Sequence, residues 1–458
     1  MTTNQLSSHR VKIGPGFYKK LLLIAGPIIL QSLLGSSLSF IDTLMIGQLG
    51  DIALAAVGLA NQMFFLIMLI LFGISSGSSV FIAQFWGSKN IKKIHMTMGI
   101  SMMIGLSAGV LFSAVSIAAP RFVMSIFTPD PAVVEAGATY LRIVGISYIF
   151  TAISMIFAFA LRSTEKAQIP LIGTAVSVVT NIILNYILIF GKMGFPAMGI
   201  AGAAIATAIS RGIEMFIILF FTYRQKLHVA GSIRDFLTID KEFIPKYFKT
   251  ALPVILNEVV WSIGMVVYKI VFARMGTQVI ASANVVEAIQ GLFFVVFMGT
   301  ANACAVMIGN RIGEKNLELA EAYARRFLYI ALIIGAIMGA FMILFAPIVP
   351  KAFNVSEEIM RTTTLSLMMI GLILPLKVLN MHTVVGILRS GGDTRFSLFL
   401  ELSSVWCVGV PLAVIGGLVI GLPLHQLYLL LAIEELYKVM LSLFRIRSRK
   451  WINVLSDI

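Results

Sequence analysis

Charged residues are scarce in this chain. They make up 12% of its 458 residues, whereas soluble domains contain about a quarter. Hydrophobic residues account for 59%, and the mean hydropathy is +0.96. This composition excludes an ordinary soluble domain and predicts a polytopic membrane protein. The formal net charge of +14 does not indicate nucleic-acid binding, because the basic residues are spread over short loops and tails.

Cysteine is also scarce. The only two, Cys304 and Cys407, lie in predicted membrane spans, which excludes a disulfide framework and a C-x-x-C metal pair. The chain also lacks an H-E-x-x-H motif and two facing aspartates, so we predict that it is not an intramembrane enzyme. Residues 1–20 contain no small-residue cleavage site before a short apolar core, which predicts a retained cytosolic tail and not a signal peptide.

Long apolar runs predict an all-α fold with twelve transmembrane helices. Polar segments divide the chain into an N-terminal tail (1–20), an N-lobe (21–223), a cytosolic link (224–249), a C-lobe (250–444) and a C-terminal tail (445–458). Lys and Arg concentrate on the side that holds both tails and the link, so both termini are expected in the cytoplasm, with the protein in the cytoplasmic membrane. The predicted helices cover 21–47, 52–86, 94–119, 138–162, 169–190, 199–223, 250–274, 279–310, 325–349, 363–388, 396–418 and 422–444.

The two halves resemble each other. A shift of 226 residues places Ala25–Ser32 on Ala251–Glu258, Gly50 on Gly276, and the segment 87–90 on 313–316. Because each half has an even number of predicted helices, the two repeats are parallel, as in one class of secondary transporters.

Asp42 is the most informative residue, because a carboxylate near the centre of a bilayer costs roughly 2.5–3.5 kcal/mol or more. It should therefore face a protein interior or a wet cavity. Pro27 lies in the same predicted helix and should bend it. Asn181 and Asn185 are four residues apart on one helix face, and Thr207 lies at a similar depth on the next helix. These oxygens could hold a small cation or a shared proton; equally, the asparagines could only join helices by hydrogen bonds.

Other polar residues within the spans are weaker candidates. Glu258 is a second intramembrane acid, for which the alternative is an ion pair or hydrogen bond between helices. Arg211 and Glu214 are spaced as a local helix pair. Candidate residues of a substrate cavity are Gln31, Glu287 and Asn380.

Several motifs together resemble the multidrug and toxic compound extrusion (MATE) family over essentially the whole chain. They are Pro27, Asp42-Thr-Leu-Met-Ile-Gly47, Ala83-Gln84 before Gly87, Asn181-x-x-Leu-Asn185-Tyr186 followed by Gly191-x-x-Gly-Phe-Pro196, Gly202-Ala-Ala-Ile-Ala-Thr207, and Leu388-Arg-Ser-Gly-Gly-Asp-Thr394.

The resemblance implies two six-helix lobes in a V and alternating access coupled to inward flow of H⁺ or Na⁺. It assigns Asp42, Asn181, Asn185 and Thr207 to a cation-binding cluster. Pro27 would be a bend that responds to protonation, and Glu258 matches an acidic position on helix 7. The chain departs from some members, which carry Asp at position 185 or an acid on helix 10, where this chain has Lys377, Asn380 and His382.

From these features we expect a monomeric antiporter that exports amphiphilic, cationic organic compounds. It would work among membrane lipids, without nucleic acid, cofactor or metal other than the coupling H⁺ or Na⁺. Two alternatives remain open at this point: a related flippase for lipid-linked precursors, and a channel or scaffold protein.

Overall fold

The structure, a computed structural model, describes residues 13–352 and 356–455. Arg10 and Lys12 of the predicted N-terminal tail therefore lie outside the described residues. The described part of the chain consists of helices joined by short connections, which confirms the predicted all-α class. The helices are α1 (Gly16–Gly47), α2 (Asp51–Gly87), α3 (Ile91–Ala118), α4 (Pro120–Phe127), α5 (Pro131–Val144), α6 (Ser147–Ser163), α7 (Gln168–Phe190), α8 (Gly199–Arg224), α9 (Ile233–Leu237), α10 (Phe243–Met275), α11 (Thr277–Gly313), α12 (Leu317–Phe345), α13 (Glu357–Met381), α14 (Thr394–Glu401), α15 (Val410–Val414) and α16 (Leu424–Arg447).

Ten described helical segments are long and apolar enough to cross a bilayer, and the bent pair α5–α6 gives an eleventh. Two of the ten contain π-helical turns: α13 continues through His382–Leu388, and α14 continues to Val419 through Leu402–Gly409 and Ile415–Val419. Helix α16 is long enough to cross a bilayer, but acidic and basic residues in its middle make it less apolar than these segments. It matches the twelfth predicted helix in position.

The described residues divide into two compact units, Gly26–Ser262 and residues 13–25 together with 263–352 and 356–455. Their boundaries fall inside α1 and α10, and not in the link predicted at 224–249. Helix α10 begins at Phe243, inside that predicted link. Phe243 and Tyr247 are buried, and their rings lie 5.5 and 5.7 Å from that of Phe81. These aromatic contacts extend the helix into a segment whose lysines suggested a polar loop.

The fourth predicted helix, 138–162, is divided in the structure. Helices α5 and α6 meet at an angle of 51°, and Ser113 Oγ donates a hydrogen bond of 2.7 Å to the carbonyl of Gly145 at the bend. A side chain that takes up a main-chain carbonyl in this way is a recognised cause of helix breaks. The partner comes from α3, and within the segment itself the local signal is a glycine, Gly145.

Corresponding turns in the two repeats have the same geometry. Lys89 and Lys315 both adopt left-handed backbone conformations, with φ of 58° and 60°. The residues that follow, Asn90 and Asn316, cap the next helix by accepting a 3.2 Å hydrogen bond from the backbone N–H three positions later. This agreement supports the 226-residue register.

The link after α8 packs against α3 through α9. A capping box starts this short helix: Ser232 Oγ accepts from the N–H of Asp235, whose carboxylate accepts from the N–H of Ser232. The Ser232 hydroxyl, and then its N–H, hold the pKa of Asp235 below its ordinary value. Gly99 of α3 allows close approach, because a Cβ there would lie 1.9 Å from the carbonyl oxygen of Phe236.

We therefore expect Gly99→Ala to detach the link from α3, because the backbone of α9 must move to admit the methyl group. Trypsin should then cut the purified protein between α8 and α10 several-fold faster than wild type. Gly58→Ala is the matched control, since nothing lies within 4 Å of a Cβ at that position. Equal cleavage rates for the Gly99 variant and wild type would contradict this packing.

The C-terminal segment docks on the connection after α13. Trp451 is buried, and the N–H of Asn453 donates a 2.7 Å hydrogen bond to the carbonyl of Gly391. Arg445 forms a bidentate ion pair with Asp393, with bonds of 2.6 and 3.1 Å. The described part of the predicted tail is thus a folded element of its unit.

Candidate functional site

A cavity of about 340 Å³ lies within the unit Gly26–Ser262. Its wall comes from α1, α2, α5, α6, α7 and α8, and most of it is apolar. Among the described residues of this wall, Asp42 is the only acid and Arg211 the only base. Other polar groups in the wall include Asn61, Tyr140, Asn185 and Thr207.

Asp42 is held by the amide of Asn185. Asn185 Nδ2 donates to Asp42 Oδ1 at 2.6 Å and to Asn181 Oδ1 at 2.8 Å, so both amide hydrogens are used. Asn185 Oδ1 is buried and has no hydrogen-bond partner. Three of the four residues predicted to form a cluster are therefore in hydrogen-bond contact, and one of them offers an unused oxygen.

Helix α8 brings the fourth predicted residue, Thr207, into the same cavity wall. Asn181 Nδ2 donates to Ser210 Oγ at 3.2 Å, and that hydroxyl donates to the carbonyl of Thr207 at 3.0 Å. A Cβ at Gly202 would lie 2.6 Å from the carbonyl oxygen of Leu188. The small residues of α8 therefore permit close contact with α7. Sequence analysis missed Ser210, although it lies one turn from Thr207.

Arg211 forms the predicted local pair with Glu214, with a 3.0 Å contact, and it also faces the cavity. Its guanidinium lies 5.4 Å from the centre of the Phe64 ring. The same acid accepts a 2.6 Å bond from Thr174 Oγ1. Arg211 of this pair is thus part of the cavity wall, which the spacing of the two residues did not reveal.

Gln31 links this pair to a second base. Its side chain donates to Thr174 Oγ1 at 2.8 Å and accepts from Arg162 Nη2 at 2.6 Å. Gln31 was predicted to line a substrate cavity, but it is not among the described residues around Asp42. With Glu214 and Asp42 ionised, these two acids balance the charges of Arg162 and Arg211.

A profile of the MatE family matches residues 27–187 and 253–415. The two matches begin 226 residues apart, which is the shift found between the halves, and together they cover more than two thirds of the chain. This chain belongs to the MatE (MATE) family. It is therefore a multi-pass membrane transporter and not an enzyme.

Relatives of similar length support this assignment. The chain is 28% identical over 441 residues to the uncharacterized transporter YisQ of Bacillus subtilis, covering 94% of this chain and 95% of that one. It is 25% identical to the probable multidrug resistance protein NorM of Thermotoga maritima, covering 95% and 94%. Identity to the multidrug resistance protein MdtK of Yersinia pseudotuberculosis is 24%, covering 87% and 88%.

Solved MATE structures share the fold. A MOP superfamily transporter from Pyrococcus furiosus superposes with a TM-score of 0.84 at 24% identity, covering 94% of this chain and 95% of that one. A MATE transporter in the bent conformation gives 0.85 at 23% identity with the same coverage. These likenesses, with the repeated family match, confirm the predicted twelve-helix fold in two repeats.

The remaining predicted site residues of this MATE protein lie elsewhere. Glu258 is half-buried on α10 and is not among the described residues that line the Asp42 cavity. Glu287, predicted to line a substrate cavity, is half-exposed and pairs with Lys269 at 2.9 Å. Asn380 Nδ2 donates to a Glu435 carboxylate oxygen at 2.7 Å. Pro27 lies inside α1, which remains helical through it.

A buried charged cluster in the other unit escaped sequence analysis. Lys438 Nζ lies 3.1 Å from Glu401 Oε1 and 2.8 Å from Glu434 Oε1. Tyr268 Oη donates to the other oxygen of Glu434 at 2.6 Å. We call these four residues the Lys438 cluster. The i,i+4 pair on α16 was visible in the sequence, but its third charge comes from α14.

Proposed function

We propose that this MATE transporter is a secondary antiporter that exports amphiphilic, cationic organic compounds from the cytoplasm in exchange for inward H⁺ or Na⁺. The observation that carries the proposal is the position of Asp42. It is the only acid among the described residues of a largely apolar cavity. The names of relatives such as NorM and MdtK, which are multidrug resistance proteins, support the same substrate class.

The chemistry of exchange follows from competition for one carboxylate. A cationic drug and the coupling ion both favour the cavity when Asp42 is ionised, so each lowers the affinity for the other. Because Asp42 and Glu214 balance Arg162 and Arg211 in charge, adding either cation gives these four residues and the cation together a net charge of one positive. Exchange then requires only that drug and ion stabilise different conformations.

Two features of the amide network bear on the coupling ion. A proton on the free oxygen of Asp42 would leave both hydrogen bonds from Asn185 in place, which supports H⁺. The unpartnered Oδ1 of Asn185, together with Asp42 and Thr207, offers the hard oxygen ligands that suit Na⁺. The proposal therefore keeps both ions, and transport measurements must separate them.

The remaining wall of the cavity suits an amphiphile. Phe64 and Tyr148 supply aromatic surface, and Leu54 and Val57 supply aliphatic surface. Aromatic faces and a carboxylate together recognise organic cations. Glu258 is not among the described residues that line this cavity, so we assign recognition of the drug's charge to Asp42.

The test is ethidium efflux from proteoliposomes, with pH and Na⁺ gradients imposed separately. We expect Asp42→Asn to lose nearly all gradient-driven efflux, because the amide neither ionises nor binds the ion. Asp51→Asn is the matched control, since this exposed acid at the start of α2 lies outside the cavity. The gradient that drives wild-type efflux identifies the ion. Wild-type ion dependence in Asp42→Asn would refute the proposal.

No efflux of wild type under either gradient would favour the flippase alternative. In that case Arg211 would be the group of the cavity wall that binds a lipid phosphate.

A further inference from the structure

The Lys438 cluster carries unequal charges. Two carboxylates, Glu401 and Glu434, surround one ammonium, and the side chains of all three are less than 10% exposed. Ionised together, they leave one uncompensated negative charge in the middle of α16. Such a charge is costly within a bilayer unless a cation neutralises it. A cluster that served only to join helices would need a single acid for its lysine.

We propose that the Lys438 cluster is a proton-binding site of the second repeat, in which one proton is shared between Glu401 and Glu434. Lys438 contacts an oxygen of each acid at 3.1 and 2.8 Å, so it lies between them. Protonation of either acid leaves these three residues neutral together. The site goes beyond the proposed function, because it needs neither Asp42 nor the drug.

The polar neighbours do not supply the missing positive charge. On α10, Lys269 pairs with Glu287 near the surface. On α13, Lys377 donates to Gln290 at 3.4 Å. Near the cluster, Glu435 is a further acid, and its carboxylate accepts a hydrogen bond from Asn380. In the π-helical turn after α13, His382 Nδ1 lies 2.9 Å from the carbonyl of Val378. Among the described residues, Lys438 is thus the cation in ion-pair contact with these two acids.

The surrounding backbone is shaped to admit the cluster. A Cβ at Gly409 would lie 1.9 Å from Tyr268 Oη and 2.3 Å from Glu434 Oε2. Gly409 ends the π-helical turn that begins directly after Glu401, and such turns are frequent at functional sites. The missing side chain therefore makes room for the hydrogen bond from Tyr268 to Glu434. That bond and the contact with Lys438 leave both oxygens of Glu434 paired, whereas Glu401 has one oxygen in contact with Lys438.

The experiment is infrared difference spectroscopy of the full-length protein in lipid nanodiscs, comparing neutral with mildly acidic buffer. The readout is the carbonyl band of buried carboxylic acids that become protonated. We expect wild type to show a band that persists in Asp42→Asn. In the Asp42→Asn background, Glu401→Gln and Glu434→Gln should each remove this band completely, because either change leaves one acid with one lysine and no excess charge to neutralise.

Glu287→Gln is the matched control, since it removes a half-exposed acid from the same unit, and it should leave the band unchanged. Loss of the band in Asp42→Asn, or its retention in both Glu401→Gln and Glu434→Gln, would overturn the proposal. Because each glutamine variant keeps one Glu–Lys pair, both should fold, and their thermal unfolding in detergent checks this. The readout needs no transported compound, so failure of the antiport proposal would not affect it.

Discussion

Lys438→Met should strongly destabilise the protein. Removing the ammonium leaves Glu401 and Glu434 buried without a partner of opposite charge. Removing one partner of a buried ion pair typically lowers the free energy of unfolding by about 3–5 kcal/mol. We expect a large fall in the unfolding temperature of the detergent-purified protein, with a lower yield from membranes.

Two further variants separate charge from packing. Lys377→Met removes a half-buried lysine whose contact is a 3.4 Å bond to Gln290, and it should unfold close to wild type. A triple variant with Lys438→Met, Glu401→Gln and Glu434→Gln should recover most of the lost stability, because neutral amides tolerate burial better than charges. If Lys438→Met unfolds at the wild-type temperature, Lys438 does not neutralise these acids.

The helices and the repeat could be predicted because their signals are local. Apolar runs of sufficient length give the spans. The turn at 87–90 and its counterpart at 313–316 contain residues with matching left-handed conformations and caps. The Asp42 site followed from the same kind of reasoning, since Asn181 and Asn185 share a helix face and an intramembrane acid needs a partner.

Where the structure departs from prediction, the cause lies in another part of the chain. Ser113 on α3 takes up the carbonyl at the bend between α5 and α6, and Phe81 on α2 supports the early start of α10. The orientation of Arg211 toward the cavity likewise depends on how α8 packs. In each case one partner of the contact lies outside the affected segment.

The Lys438 cluster was missed for a different reason. Glu434 and Lys438 are four residues apart in an apolar segment, so the criterion that selected Asp42 would also have selected them. Glu401, in contrast, joins them from 37 residues away, and the resulting excess of one acid over one base becomes visible only in three dimensions. The net charge of an intramembrane cluster can therefore be counted only when all of its charged members are known.

Asn185→Asp should change the ion preference of the Asp42 site. The mutated atom lies 2.6 Å from Asp42 Oδ1, so a second carboxylate there would repel the first unless a proton or Na⁺ lies between them. An added charge at about 4 Å contributes about 4 kcal/mol to cation binding at an effective dielectric constant of about 20. Desolvation removes part of this gain. We still expect Na⁺ to bind at least about tenfold more tightly.

Calorimetric titration with Na⁺ measures the Na⁺ affinity of the purified variant and of wild type. Ethidium efflux driven by an Na⁺ gradient should be faster in the variant. Asn61→Asp is the matched control, because it adds a carboxylate to the same cavity wall at a residue that has no hydrogen bond to Asp42. If both variants gain the same affinity, the net charge of the cavity decides binding. A gain confined to Asn185→Asp shows that the ion lies between residues 42 and 185, where Asn185 Nδ2 now donates to Asp42.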